Sequence, residues 1–261
     1  MDQLTFIVFF IYGLAFFGMG ITMALESGRS PALAQARVLR PLAAFGVIHG
    51  THEWMESYLM QAEFFGAPLP GWLPWLRLGF LFASFTSLFL YGFQMLLLVS
   101  THNSEKRAFL FSAFGVYALF IISNLIKSYL EAPIPLIHLL DGLGRYLLAV
   151  PASMLAALAL RTQAREMRQN SHTNLSTSLS IASFGFAIYT LTQLFVHPID
   201  MFPARYINED AFLASTGFPI QVIRTIMAIL ITYGLLRATQ FMEDERRTQL
   251  FAAQQDRMEA L

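Results

Sequence analysis

The stretch 38 to 60, VLRPLAAFGVIHGTHEWMESYLM, decides how this chain is read. It is long enough to cross the roughly 30 Å of a bilayer's hydrocarbon core as one helix, which takes about 20 residues. Yet it carries His49, His52, Glu53 and Glu56. Ionisable side chains at that depth are costly and mark functional sites. Read as a span, the segment makes the chain a membrane bundle with a polar site built into it.

The composition outside this stretch supports that reading. Hydrophobic residues make up 56% and charged residues 13%, with 25 Phe and a mean hydropathy of +0.53, too apolar for a soluble domain of this length. Lys+Arg and Asp+Glu balance at 17 each, so nothing points to a nucleic-acid partner. The absence of cysteine excludes disulfides, thiolate metal sites and cysteine nucleophiles. Met1-Asp2-Gln3-Leu4 puts no basic segment before the first apolar run, which reads as a retained helix and not a cleaved signal peptide.

Seven apolar runs predict an all-α polytopic fold of seven transmembrane helices, approximately 4 to 25, 38 to 60, 74 to 99, 108 to 130, 135 to 160, 176 to 197 and 217 to 238. Arg29, Arg37 and Arg40, then Lys106 and Arg107, then Arg161, Arg165 and Arg168 follow the first, third and fifth runs. Because basic loops stay in the cytoplasm, the N-terminus is expected outside and the C-terminus inside a bacterial inner membrane. Trp72-Leu73-Pro74-Trp75, Glu131-Ala132-Pro133 and the segment from Pro198 to Pro219 are poor in basic residues and are expected to face outward.

The composition divides the chain into a sensor-like membrane domain, 1–238, and a polar linker helix, 239–261. Phe251, Met258 and Leu261 have the seven-then-three spacing of a coiled-coil seam. The chain stops on what looks like the middle of a helix, which implies a cytoplasmic output domain in the same polypeptide and a homodimer.

His49 and His52 are three residues apart, so on a helix they share a face about 60° wide, at depths differing by roughly 4.5 Å. Glu53 and Glu56 stand at i+4 from them, within reach as partners that fix a ligand's tautomer. His138, with Asp141 at i+3, opens the fifth span, and His197 closes the sixth. His102 and His172 fall among polar loop residues and read as solvated. Four histidines expected near the outer leaflet of a Phe-rich bundle favour b-type haem with two imidazole ligands, and the lack of a CxxCH motif excludes covalent attachment. His52 and His138 are the expected ligands, with His49 and His197 as alternatives or as ligands of a second haem. Gly46, Gly50, Gly142 and Gly144 would admit a flat ring, and Arg145, Arg224, Arg77 and Lys127 would pair with its propionates. The competing occupant is bare zinc or copper held by three histidines plus a carboxylate or water.

Asp141 and Arg145, at i,i+4, are expected to pair; Arg224 lacks a partner on its own helix, and Glu53, Glu56 or a propionate would serve. Such a contact would join the cofactor site to the last span.

Several spans, an outer pocket and then a cytoplasmic helix resemble the membrane input module of bacterial sensor histidine kinases and diguanylate cyclases. The resemblance implies a haem-dependent sensor signalling through the tail. Seven spans with an intramembrane histidine site are also similar to the zinc-containing progestin and adipoQ receptor family, but the last span carries Gln221, Arg224 and Thr225 where that family has paired histidines. The seven-helix MHYT sensors differ in having a Met-His-Tyr-Thr motif, which this chain lacks. Two further classes stay open. One is a membrane metal hydrolase with Glu53 or Asp141 as general base, and the other a cofactor-free receptor or transporter using the same residues to bind a ligand or relay protons.

Overall fold

A computed structural model describes residues 3–29, 34–99, 104–131 and 134–259. His102, Ala132, Pro133 and Leu261 lie outside them, as do the side chains of Arg29, Arg37, Lys106, Arg107 and Met258. The described chain is helical: α1 (Gln3–Arg29), α2 (Ala34–Phe64), α3 (Leu73–Val99), α4 (Ser104–Glu131), α5 (Leu136–Gly144), a π-helical turn (Arg145–Ala149), α6 (Val150–Gln169), α7 (Thr173–Thr192), α8 (Glu209–Thr216) and α9 (Ile220–Glu259).

Five stretches are long and apolar enough to cross a membrane: Phe6–Gly28, Leu73–Leu96, Leu136–Gln169, Thr173–Thr192 and Ile220–Asp244. The chain is therefore an all-helical multi-pass membrane protein. The expected second span does form a helix, but His49, His52, Glu53 and Glu56 in its middle keep α2 from being apolar enough to join that set. In α4 the apolar stretch is the shorter Phe114–Leu130.

Six of these helices close into a ring. α1 packs on α2, α2 on α3, α3 on α6, α6 on α7, α7 on α9, and α9 returns to α1. The α1–α2 seam is the most extensive, because glycines on both helices let the backbones meet. A Cβ added to Gly46 would come within 2.6 Å of the Gly20 Cα, and one on Gly50 within 2.6 Å of the Gly13 carbonyl. Small residues four apart are the usual device for close helix approach in lipid, where hydrophobicity cannot drive helices together. α4 stands outside the ring, tied to the π turn by the Tyr117 hydroxyl donating to the Tyr146 carbonyl (3.0 Å). Val116, Leu119, Phe120 and Ile126 on α4, like Phe6, Phe10 and Leu14 on α1, are exposed, as lipid-facing side chains are.

The fifth expected span is one continuous helical run interrupted by the π turn. Pro151 has no N–H for the Leu147 carbonyl and its ring would crowd that turn, so an extra residue in the turn before it relieves both faults. The sixth span ends earlier than expected, at Thr192, and not at His197. Beyond it residues 193–208 form a strap, closed by a bridge between Val196 and Asn208 and by the Glu209 N–H donating to the Val196 carbonyl (3.0 Å). Asn208 then caps α8 by accepting from the Ala211 N–H (2.8 Å). Gly217, in the left-handed region at φ +80°, ends α8.

Candidate functional site

Inside the ring, six side chains from four helices converge: Tyr12 of α1, His49, His52 and Glu53 of α2, Ser84 of α3 and Tyr189 of α7. None is more than 5% exposed. Phe16, Phe45 and Phe85 pack their rings on His49 at centroid separations of 5.0 to 5.1 Å, sealing the cluster in apolar surroundings.

The hydrogen bonds have a direction that can be worked out. The Ser84 hydroxyl donates to the Leu81 carbonyl (2.8 Å), so it can only accept from His49 Nδ1, 3.2 Å away. His49 Nδ1 therefore carries the proton, and in the neutral ring Nε2 is left as a lone pair. That lone pair faces the Tyr189 hydroxyl at 2.7 Å, which accepts in turn from the Tyr12 hydroxyl at 2.7 Å. The same Nε2 also faces Glu53 Oε1 at 3.3 Å. Nε2 thus accepts from Tyr189, and Glu53 stands beside it as a buried carboxylate whose close partners are imidazoles, an arrangement that a countercharge would relieve. His52 Nδ1 lies 3.3 Å from the same Glu53 oxygen. His52 Nε2 is fully buried with no hydrogen-bond partner.

The carboxylates and arginines sort differently from the sequence expectation. Glu56 does not serve His52; it accepts from Arg77 (2.8 Å), whose other nitrogen donates to Asp141 (2.9 Å). Asp141 also accepts from Arg145 Nε (3.0 Å), and Arg145 reaches the Gln193 side-chain oxygen at 3.4 Å. Two guanidinium groups and two carboxylates thus form a neutral network bridging α2, α3, α5 and the π turn, consistent with the rule that intramembrane charges pair. Arg224 meets neither Glu53 nor Glu56. Its guanidinium donates to the carbonyls of Thr192 (2.9 Å) and Phe195 (2.8 Å), so its charge complements the C-terminal end of α7.

The four histidines form two pairs at different levels, not one group. His49 is the central residue of α2, and its ring stacks on His52 at 5.6 Å and 10°. His138, in the first turn of α5, stacks on His197 of the strap at 5.2 Å and 25°. Both members of this second pair are exposed. His197 Nδ1 lies 3.1 Å from Glu209 Oε1, and the other oxygen of Glu209 accepts from Gln221 at the start of α9 (3.3 Å). The hydrogen bond to Glu209 raises the His197 pKa above its ordinary value. Among the described residues no hydrogen bond or ring contact joins His52 to His138.

His52 and His138, the expected haem ligands, each stack on another histidine, His49 and His197 respectively. Axial imidazoles point their nitrogens at each other across a macrocycle, so neither stacked pair would itself supply both axial ligands of one haem as placed. The space beside the glycines expected to admit the ring is already filled: at Gly46 and Gly50 by the α1 backbone, and at Gly144 by the Phe82 ring, which would stand 3.0 Å from an added Cβ. By contrast His49, His52 and Glu53 each offer a donor atom within 4.8 Å of the others, the spacing of a small ion. Tyr12, Tyr189 and Ser84 do not stand out in the sequence. The available signal is a tyrosine in the interior of each of two apolar runs, where its hydroxyl needs a partner. The chain matches no known protein family, curated protein or solved structure.

Proposed function

We propose that this chain is the membrane input module of a bacterial signalling protein, with the His49–His52–Glu53 cluster as its receiving site and α9 as its output. One observation carries the reading. α9 is a single helix of 40 residues, about 60 Å long at 1.5 Å per residue and twice the hydrocarbon thickness. Its first half packs on α1 and α7, the two helices that hold Tyr12 and Tyr189 against His49. Thr232 of α9 donates to the Ala15 carbonyl of α1 (3.1 Å), the Thr225 hydroxyl, which donates to Gln221 on its own helix, lies 3.3 Å from the Val8 carbonyl, and Arg224 grips the end of α7. A change at His49 that moves either phenol acts on helices in direct contact with α9.

In this reading α2 and α4 join the five apolar stretches to give seven crossings, with the N-terminus outside and α9 entering the cytoplasm. There α9 would pair with that of a second copy and feed an output domain. A metal hydrolase suits the site less well, because the aromatic rings around His49 exclude the water such chemistry consumes.

The test is a fusion of the chain, continued in helical register after α9, to a diguanylate cyclase or kinase domain. Glu53→Gln and Tyr189→Phe are each expected to change its output by about 5-fold or more, the scale of an ordinary coupling free energy. Output indifferent to both, in protein that inserts normally, would contradict the reading.

A further inference from the structure

We infer that the receiving site is a metal site, in which one divalent transition ion of the zinc or copper(II) class binds His49 Nε2, His52 Nδ1 and Glu53 Oε1. The inference rests on the reading of this cluster as the functional site and names what it receives.

Three observations carry it. Tetrahedral coordination with bonds of about 2.0 to 2.1 Å places neighbouring donors about 3.4 Å apart, and both imidazole-to-carboxylate separations are 3.3 Å, to one and the same oxygen. Next, His49 is already prepared as a ligand. Its proton is committed to Ser84, whose own proton is committed to Leu81, so Nε2 keeps a lone pair, which accepts from Tyr189 and has Glu53 Oε1 3.3 Å away. This is the arrangement in which an outer hydrogen bond fixes the tautomer of a metal-binding histidine. Last, the three donor atoms lie within 4.8 Å of one another on side chains no more than 5% exposed, where the buried Glu53 carboxylate has imidazoles for its close partners; a buried carboxylate needs a countercharge. A cation between His49, His52 and Glu53 supplies that countercharge.

The donor set defines the ion. Two neutral imidazoles and a carboxylate, without a thiolate or thioether, suit zinc or copper(II) better than copper(I), and they are too rich in nitrogen for calcium or magnesium. The Tyr189 hydroxyl, 2.7 Å from His49 Nε2, borders the fourth position. An ion arriving there displaces the phenol proton's hydrogen bond to His49 and shifts the Tyr189–Tyr12 pair, the contact that leads to α9.

The experiment uses the full chain in lipid nanodiscs, stripped with chelator and titrated with Zn²⁺, and with Co²⁺ as a visible-absorbing probe. The wild type is compared with Glu53→Gln, which keeps the side chain's shape but not its charge. Ser84→Ala is included because it leaves all three donors in place and frees the His49 tautomer. The expected result is one ion per chain, the intense visible bands of four-coordinate Co²⁺, loss of binding in Glu53→Gln, and affinity reduced about 10-fold or more in Ser84→Ala with an altered Co²⁺ spectrum. If Glu53→Gln does not fold, Ser84→Ala alone decides, since a purely structural hydroxyl would leave the spectrum unchanged. No retained ion would overturn the inference, leaving His49 Nε2 to the Tyr189 hydroxyl and Glu53 to His52. Binding equal in all three proteins would overturn it too, placing the ion elsewhere. Either outcome leaves the signalling reading to be judged separately by the fusion's response to Glu53→Gln and Tyr189→Phe.

Discussion

At the scale of single residues, the site is governed by which atom holds each proton. His49 is fixed by a chain that ends on a backbone carbonyl, so its imidazole has one available tautomer and one direction in which to act. His197 behaves differently, being exposed and free to titrate. Because its folded-state pKa is raised by Glu209, the stability it adds is fully present below the unfolded value of about 6.5 and is lost as pH rises through the higher folded value. His197→Gln should therefore lower the melting temperature most at about pH 6 and least near pH 9; a pH-independent difference between the two proteins would show that the Glu209 contact contributes nothing. The i,i+4 approach of Glu53 to His49 was legible from spacing alone, since a helix brings such pairs together wherever it lies. Ser84, Tyr12 and Tyr189 were not, because their roles depend on which helices are neighbours.

At the scale of elements, Arg77 of α3 ties α2 to α5 through two carboxylates, and its side chain is only 12% exposed. Removing it takes from Glu56 its guanidinium partner and leaves Asp141 with Arg145 alone. Arg77→Ala should cost about 3 kcal/mol or more in denaturant unfolding, and Arg77→Lys should recover only part, since one ammonium cannot span both partners as a planar fork does. Gly46→Ala should cost about 1 to 3 kcal/mol by forcing α1 and α2 apart, read as a lower melting temperature in detergent. Long apolar runs such as Phe6–Gly28 and Leu73–Leu96 could be located from sequence because hydropathy reports length directly. Helix ends were less legible: the sixth run stays apolar to Val196 although the helix stops at Thr192, where Arg224 from another helix takes up the last carbonyls. The π turn was also hidden, since Pro151 gives notice of a disturbance without saying whether the helix kinks, breaks or widens.

At the scale of the whole molecule, α9 closes the ring against α1 and then continues past it. The helix that completes the bundle is therefore the one that leaves it. If two copies pair along that extension, Phe251→Cys, at a position 70% exposed in a chain with no other cysteine, should give a disulfide-linked dimer on mild oxidation in membranes. A chain that stays monomeric at every oxidant concentration would argue against pairing there. The central claim is that the buried cluster and α9 move together, and it is tested most directly by pulsed electron paramagnetic resonance on the doubly labelled chain Arg165→Cys/Phe251→Cys. The distance between the end of α6 and the extension of α9 is expected to shift when Glu53→Gln is added to the labelled chain. The same distance distribution with and without that substitution would contradict the coupling of site to helix.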